Sequence, residues 1–304
     1  MNERTIDNLI KWIRSVMPNK AKLHIAWFGG EPLLEKKTIF EITKKINVLS
    51  KELKFQYSSS LTTNGYLLTK DFIDNIEKLS IKQIQITFDG NREFHNKYRF
   101  LINGQGSFDN LIENITQLIS KKPDVCSIII RVNCTDENYE SLIELLNSFP
   151  ENIRSQINIF FRWVYPSKIK GFKDFSSRKK GEEPYINISK LYREAQRLGW
   201  IVKTRNSKIK YNFCEVDFLN HFYINPSGDL FFCSHRTESK DSIGSLNSSV
   251  VINYNNKNFI SKWYSQEPFD DNVCLSCKLL PHCLGGCRKE RMEGRRGCIW
   301  EKNQ

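Results

Sequence analysis

KLHIAWFGGEPLLEKKTIFEITKKINVLSKEL, residues 22–53, is the stretch that decides the fold. Its first seven residues are rich in β-formers, and the Gly29-Gly30-Glu31-Pro32 turn interrupts them. From Glu35 onward the apolar residues recur three and four apart, as they do along one face of a helix. A strand that turns directly into a helix is half of a β/α unit. Working outward, the same alternation repeats. FQYSSSLTT (55–63), IQITF (84–88), SIIIRVN (127–133) and INIFFRW (157–163) read as further strands. KDFIDNIEKLS (70–80), SFDNLIENITQLISKK (107–122) and ENYESLIELLNSF (137–149) have helical spacing between them. Residues from about 20 to 163 are therefore expected to form an α/β layer or partial (β/α) barrel of parallel strands crossed by helices. Residues 1–17 read as another such helix with no strand before it, so a first strand is expected to be missing.

Beyond this series the pattern changes. Tyr165 to Tyr185, with Pro, Gly and the run SSRKKGEEP, reads as a linker or mobile loop before the helix NISKLYREAQRLG (187–199). FYINPSGDLFFCS (222–234) predicts a hairpin turning at Pro226, Ser227 and Gly228. The expected division is a partial barrel with linker over 1–205 and a small cysteine-rich domain over 206–304.

A chain of 304 residues, 39% apolar and 26% charged, has enough apolar material for a proper core. No run approaches the roughly 18 consecutive apolar residues of a membrane span, and MNERTIDNLIKWIR lacks the apolar run of a signal peptide, so a cytoplasmic protein without a membrane partner is expected. Lys plus Arg number 46 against 34 Asp plus Glu, a net charge of +12. The basic residues are scattered rather than gathered on one face or tail, which predicts a solvated surface and no nucleic-acid partner.

Nine cysteines in a chain without an export signal point to metal or catalysis, because cytosolic thiols stay reduced. Cys126 and Cys134 bracket the strand SIIIRVN and read as core filling. The other seven, Cys214, Cys233, Cys274, Cys277, Cys283, Cys287 and Cys298, crowd the last third. Thiolate ligates both structural zinc and iron-sulfur clusters, so C-x2-C alone separates neither. The number favours clusters, since one closed zinc site uses four ligands and leaves three over.

Cys214, thirteen residues, Gly228, four residues, Cys233, a gap, then C-x2-C-x5-C-x3-C and a last cysteine resembles the SPASM domain of radical S-adenosylmethionine (SAM) peptide-modifying enzymes. The resemblance implies one [4Fe-4S] auxiliary cluster on Cys274, Cys277, Cys283 and Cys298. It implies a second on Cys214, Cys233 and Cys287 that lacks a fourth cysteine. Gly29, Gly30, Glu31 and Pro32, placed after a strand, resemble the motif that receives the amino group of SAM. TTNGYLL (62–68) and TFDGNREFHNKYR (87–99) resemble equivalent segments, and ordinary turn chemistry explains Asn64 and Asp89 equally well. His95 and Arg99 point toward substrate only if their loop faces the barrel mouth. Strand alternation puts Arg131 and Asn133 on one side, where Arg131 needs a partner such as the SAM carboxylate or a structural ion pair.

The C-x3-C-x2-C that such enzymes use for the catalytic [4Fe-4S] cluster does not occur before Cys214. The resemblance therefore implies oxidative chemistry on a peptide or protein substrate, begun by a deoxyadenosyl radical and fed by a flavodoxin- or ferredoxin-type donor. The chain as written is nevertheless expected to be inactive. The missing strand and the missing motif share a segment, so Met1 is expected to lie inside a longer ancestral reading frame. A sulfatase maturase of this kind carries a second cysteine soon after the first and an aspartate after the hairpin cysteine. Here EVDFLNHFY follows Cys214 and Ser234 follows Cys233, so a ribosomal-peptide maturase is preferred. The rival readings are a non-catalytic iron-sulfur electron carrier or scaffold, and a zinc protein.

Overall fold

The computed structural model describes residues 1–121, 124–135, 137–163, 188–202, 214–248 and 256–294. The chain divides into two compact units, one of residues 18–204 and one of residues 1–17 together with 205–304. Helix α1 (Glu3–Val16), which the sequence places at the head of the sheet series, groups with the second unit.

The first unit is an α/β layer on a parallel six-stranded sheet in the order β1-β2-β3-β4-β5-β6. Its strands are β1 (Lys22–Trp27), β2 (Gln56–Thr63), β3 (Ile81–Phe88), β4 (Ser127–Cys134), β5 (Ile157–Trp163) and β6 (Ile201–Val202). The helices α2 (Lys36–Leu53), α3 (Lys70–Asp74), α4 (Arg92–Tyr98), α5 (Phe108–Lys121), α6 (Tyr139–Asn147), α7 (Glu151–Arg154) and α8 (Ile188–Arg197) lie between them in sequence. Strand order equal to chain order is what short right-handed β-α-β crossovers produce. The five sequence-predicted strands are present. β6 is two residues long, too short to carry a period.

Alternation sorts the two sheet faces. Ile84, Ile86 and Phe88 of β3, and Ile128, Ile130 and Val132 of β4, are buried in the core with Leu111, Ile115 and Leu118 of α5 and Leu142, Leu145 and Leu146 of α6. Each such side chain contributes roughly 1.5–3 kcal/mol on leaving water. Phe88 anchors this face, its ring edge-on to Phe108 at 5.5 Å and to Phe149 at 5.6 Å. The alternate positions, Gln83, Gln85, Thr87, Arg131 and Asn133, are half-buried and polar. Parallel sheets are ordinarily apolar on both faces, so a polar face in one is a departure that asks for a cause.

Two helices differ from the sequence-based reading. The amphipathic run 70–80 is helical only to Asp74, because the Asn75 side chain donates back to the Asp71 carbonyl oxygen at 2.8 Å and competes with further helix hydrogen bonding. Residues 92–98, read as a turn segment, form α4, capped by Asn91, whose Oδ1 accepts from the Phe94 amide at 2.9 Å.

In the second unit α1 buries Thr5, Ile6, Leu9 and Ile13 and sets Trp12 edge-on to Phe222 at 5.3 Å. The hairpin forms as expected, with β7 (Tyr223–Ile224) antiparallel to β8 (Asp229–Phe231) and then to β9 (Gly244–Ser245). Short helices follow: α9 (Lys257–Tyr264), α10 (Asn272–Leu275), α11 (Leu280–Cys283) and α12 (Arg288–Met292). The linker at Tyr165–Tyr185 and Cys298 lie outside the described residues. Among the described residues no helix is long and apolar enough to cross a membrane.

Candidate functional site

Two groups of sequence-singled residues are built by separate units. In the first, Glu31 stands at the carboxyl end of β1 and caps the short 3-10 helix Pro32–Glu35. Its Oε1 accepts from the Leu33 amide at 2.9 Å and from Thr63 Oγ1 at 2.7 Å, and its Oε2 from the Asn64 amide at 2.7 Å. The carboxylate is thus held against the end of β2 with three bonds of its roughly four lone-pair sites engaged. Asn64 joins Glu31 through its backbone, while its side chain accepts from the Tyr66 amide at 2.9 Å. The exposed Gly29 and Gly30 precede Glu31, and a Cβ on either would meet no atom within 4 Å. Packing does not require either glycine, and of the two only Gly29, at φ +153°, has a backbone conformation that favours one. Gly65 and Gly90, by contrast, are demanded by packing: a Cβ would fall 2.9 Å from Ile86 Cγ2 at the first and 2.1 Å from Ser141 Oγ at the second.

One strand pair along the sheet, a second group runs from Asp89 to Arg131. Asp89 follows β3, and its Oδ2 accepts from Arg99 Nε at 2.5 Å and its Oδ1 from Asn133 Nδ2 at 2.7 Å. Asn133 Oδ1 in turn accepts from Arg131 Nε at 3.1 Å. The predicted common side for Arg131 and Asn133 is observed. Burial, then the charges of Arg162 and Arg99, hold the Arg131 guanidinium below its ordinary pKa, with only Asp89 opposing them. An anion placed there would relieve that repulsion. Arg162, opposite Asn133 in the β4-β5 register, is a member that the sequence reading missed. Carrying the polar alternation of SIIIRVN across to INIFFRW would have found it.

His95 does not face a mouth of the sheet. It is wholly buried, with its ring 5.2 Å from Phe88 and 5.7 Å from Phe108. Its Nε2 lies 3.2 Å from Ser107 Oγ, and the Asp89 amide is 3.4 Å from its Nδ1. Burial holds its pKa down at about 4. It supports Asp89 from behind as a neutral ring. Cys126 and Cys134 are buried as expected, and burial pushes their thiols up to about 11 and about 12.

The second unit gathers Cys214, Cys233 and Cys287. Burial raises the Cys214 and Cys233 thiols; the charges of Asp217, Cys287 and Glu215 raise Cys214 further, and those of Cys287 and Cys214 raise Cys233. Such coupling requires the three sulfurs to be neighbours. Asp217 ties two of them together: its Oδ2 accepts from the Cys214 amide at 3.0 Å, and its Oδ1 accepts from Arg288 Nε at 3.2 Å, next to Cys287. Arg288 also donates to the Trp263 carbonyl oxygen at 2.8 Å. Cys274 sits in α10, where Asp271 Oδ1 accepts from the Val273 and Cys274 amides, and Cys283 ends α11. Both are buried and Cys277 is half-buried. Among the described residues no three His, Cys, Asp or Glu side chains converge tightly enough to hold a single metal ion.

Comparison with known proteins bears on both groups. The chain is 24% identical to the radical SAM cyclopropyl synthase TigE of Paramaledivibacter caminithermalis, over 93% of this chain and 59% of that protein. It is also 24% identical to a cysteine-type anaerobic sulfatase-maturating enzyme of Clostridium novyi, over 93% of this chain and 78% of that protein. The chain therefore spans between about three fifths and four fifths of the length of these relatives. In fold it matches native anSMEcpe with bound AdoMet at a TM-score of 0.63 and 16% identity, covering 98% of this chain and 82% of that one. The form of that protein with AdoMet and the Kp18Cys peptide matches at 0.64 and 17%, covering 96% and 82%. The Radical SAM superfamily model matches residues 1–149, the stretch that holds β1 to β4 with Glu31, Asn64, Asp89 and Arg131.

Proposed function

We propose that the chain binds SAM on the polar face of its parallel sheet and iron-sulfur clusters on its seven C-terminal cysteines, as part of a radical SAM oxidoreductase that modifies a peptide or protein. The observation that carries the reading is the Glu31 carboxylate, fixed by Leu33, Thr63 and Asn64 beside Gly30, a glycine that neither packing nor backbone conformation requires. Its remaining lone pair suits an ammonium group, and the bare Gly29-Gly30 backbone admits close approach. Arg131, oriented through Asn133 and Asp89 and crowded by like charge, suits a carboxylate. Ammonium and carboxylate are the two ends of the methionine part of SAM. Pro32 starts the 3-10 turn, and Asn64 acts through the amide that holds Glu31.

The donor set at Cys214, Cys233 and Cys287 suits an iron-sulfur cluster: three neighbouring thiols, two of them, Cys214 and Cys287, linked through the Asp217–Arg288 pair. Cys274, Cys277, Cys283 and Cys298 are the ligands assigned to the other. When bound, such clusters supply one-electron transfer or a site that anchors substrate. The 304 residues contain no C-x3-C-x2-C, so they do not themselves ligate a catalytic cluster of that kind. The second reading, a cluster-binding electron carrier or scaffold, rests on that observation. Among substrates, a ribosomal peptide is preferred to a sulfatase because Ser234 follows Cys233 and no cysteine soon follows Cys214. A flavodoxin- or ferredoxin-type protein is the assigned donor.

The test is SAM titration of the anaerobically purified chain by calorimetry, with iron, sulfide and zinc determined on the same sample. SAM binds, and Glu31→Gln weakens it at least tenfold, about 1.4 kcal/mol. Iron and sulfide accompany the protein, and reductant with SAM gives no 5′-deoxyadenosine. Equal affinity of the Gln variant refutes the SAM site, and stoichiometric zinc without sulfide refutes the clusters.

A further inference from the structure

We propose that the groove between α2 and the chain that follows α3 docks an acidic, amphipathic helical segment of a partner protein. The groove has a volume of about 370 Å³ and lies wholly within the first unit. Phe40, Val48 and Leu79 form its apolar part, and Lys44, Lys51 and Lys78 its charged part. A hydrogen bond joins its two walls: Asn47 Nδ2 donates to the Lys78 carbonyl oxygen at 3.2 Å.

The fold does not use the apolar part fully. Ile39, Ile42, Ile46 and Leu49 bury α2 against the core, whereas Val48 is 64% exposed. Phe40, Lys44, Val48 and Lys51 follow one another at intervals of four, four and three residues, so they share one flank of the helix.

Charge sets the chemistry of the occupant. None of the three lysines has an ion-pair partner among the described residues, and no acidic side chain lines the groove. Glu41 is taken up by Lys45 at 3.0 Å and Asp74 by Lys121 at 3.1 Å. Glu52 and Glu77 adjoin Lys51 and Lys78 in sequence without lining the groove. A chain of net charge +12 is a poor partner for a second copy of itself at such a site, whereas a carboxylate-bearing surface is attracted.

Spacing narrows the choice. Lys44 and Lys51 are roughly 10 Å apart along the helix axis, with Val48 between them. A partner helix with two carboxylates seven residues apart and an apolar side chain between them matches that order, as helix-in-groove recognition requires. A nucleic-acid backbone supplies the charge without the apolar side chain that would cover Phe40 and Val48.

The experiment is fluorescence anisotropy of the full chain at physiological ionic strength. Its probe is a synthetic, fluorescein-labelled helical peptide with glutamates seven residues apart and a leucine between them. The peptide binds, and Lys44→Glu/Lys51→Glu/Lys78→Glu weakens it by about tenfold or more. Val48→Ser weakens it several-fold. All four positions are exposed, so the urea midpoints of these variants stay at the wild-type value. Charge reversal of Lys11, Lys22 and Lys97, exposed and outside the groove, leaves binding within about twofold. Failure of the peptide to bind overturns the proposal, as does an unchanged affinity in Val48→Ser. Equal weakening by the outside lysines overturns it in favour of diffuse attraction. A wild-type dimer in sedimentation that the groove reversal abolishes overturns it in favour of a second copy. Displacement of the peptide by an equal concentration of a single-stranded oligonucleotide overturns it in favour of nucleic acid.

Discussion

Acidification should unlatch the sheet edge at Asp89, and the group responsible is His95. Its ring is wholly buried between Phe88 and Phe108, and its pKa is about 4 against an ordinary 6.5. Above pH 6.5 neither the folded nor the unfolded chain carries this proton, and the contribution to stability is fully present. As pH falls, unfolded His95 takes up a proton that folded His95 refuses, so stability is lost progressively down to about pH 4 and then levels. The difference of about 2.5 units, at 1.36 kcal/mol each, makes the loss roughly 3 kcal/mol. Urea unfolding at a series of pH values measures it, and His95→Gln, which keeps a hydrogen-bonding side chain without the titration, removes the contribution of every other ionising group by difference. The stability difference between wild type and variant should shrink by roughly 3 kcal/mol from pH 7 to pH 4. A difference that stays constant across that range refutes the reasoning. The consequence for function follows the hydrogen bonds: the Asp89 amide lies against His95 Nδ1, and Asp89 orients Asn133, which orients Arg131.

Gly90→Ala drives a Cβ to 2.1 Å from Ser141 Oγ, whose hydroxyl also accepts from the Asn91 amide at 2.8 Å. It should cost about 1–3 kcal/mol in urea unfolding. Gly30→Ala, with nothing within 4 Å, should stay within about 0.5 kcal/mol of wild type while weakening SAM binding measured by calorimetry. Cys126 and Cys134, at about 11 and about 12, hold on the order of one thiolate in a thousand or fewer at pH 8. Iodoacetamide at that pH should leave both unmodified by mass spectrometry until denaturant is added, and rapid native labelling of either contradicts the burial.

The sheet was legible because parallel strands with one apolar face leave a two-residue period that helices do not, and Ile84, Ile86, Phe88 and Ile128, Ile130, Val132 carry it plainly. Elements below a turn or two in length were not. α4 owes its existence to the Asn91 cap rather than to an apolar stripe, and β6 has two residues. The early end of α3 depends on one side-chain bond from Asn75, a choice that periodicity does not record. The grouping of α1 with residues 205–304 is tertiary information, carried by contacts such as Thr5 Oγ1 to Asn247 Oδ1 at 3.3 Å across 242 residues of sequence.

The site divides along the same physical line. Glu31 and the cysteines were visible because their chemistry is local: a carboxylate in a glycine turn after a strand, and thiols at short intervals. The residues that orient them were hidden because they come from elsewhere in the chain. Thr63 fixes Glu31 from 32 residues away, Asp89 reaches Asn133 across 44, and Arg288 reaches Asp217 across 71. Asp89 shows how one residue can serve a turn and also orient a distant side chain. In sequence it is an Asp-Gly turn, and in the structure its neighbour Gly90 is indeed fixed by packing against Ser141. The same turn aims the Asp89 carboxylate along the polar face, where it takes one bond from Arg99 and one from Asn133 and leaves Arg131 oriented. If Arg131 binds an anion as proposed, the structural and functional readings of that residue are not alternatives. The turn that closes the fold is also what preorganises the arginine, and a substitution there should move stability and anion binding together.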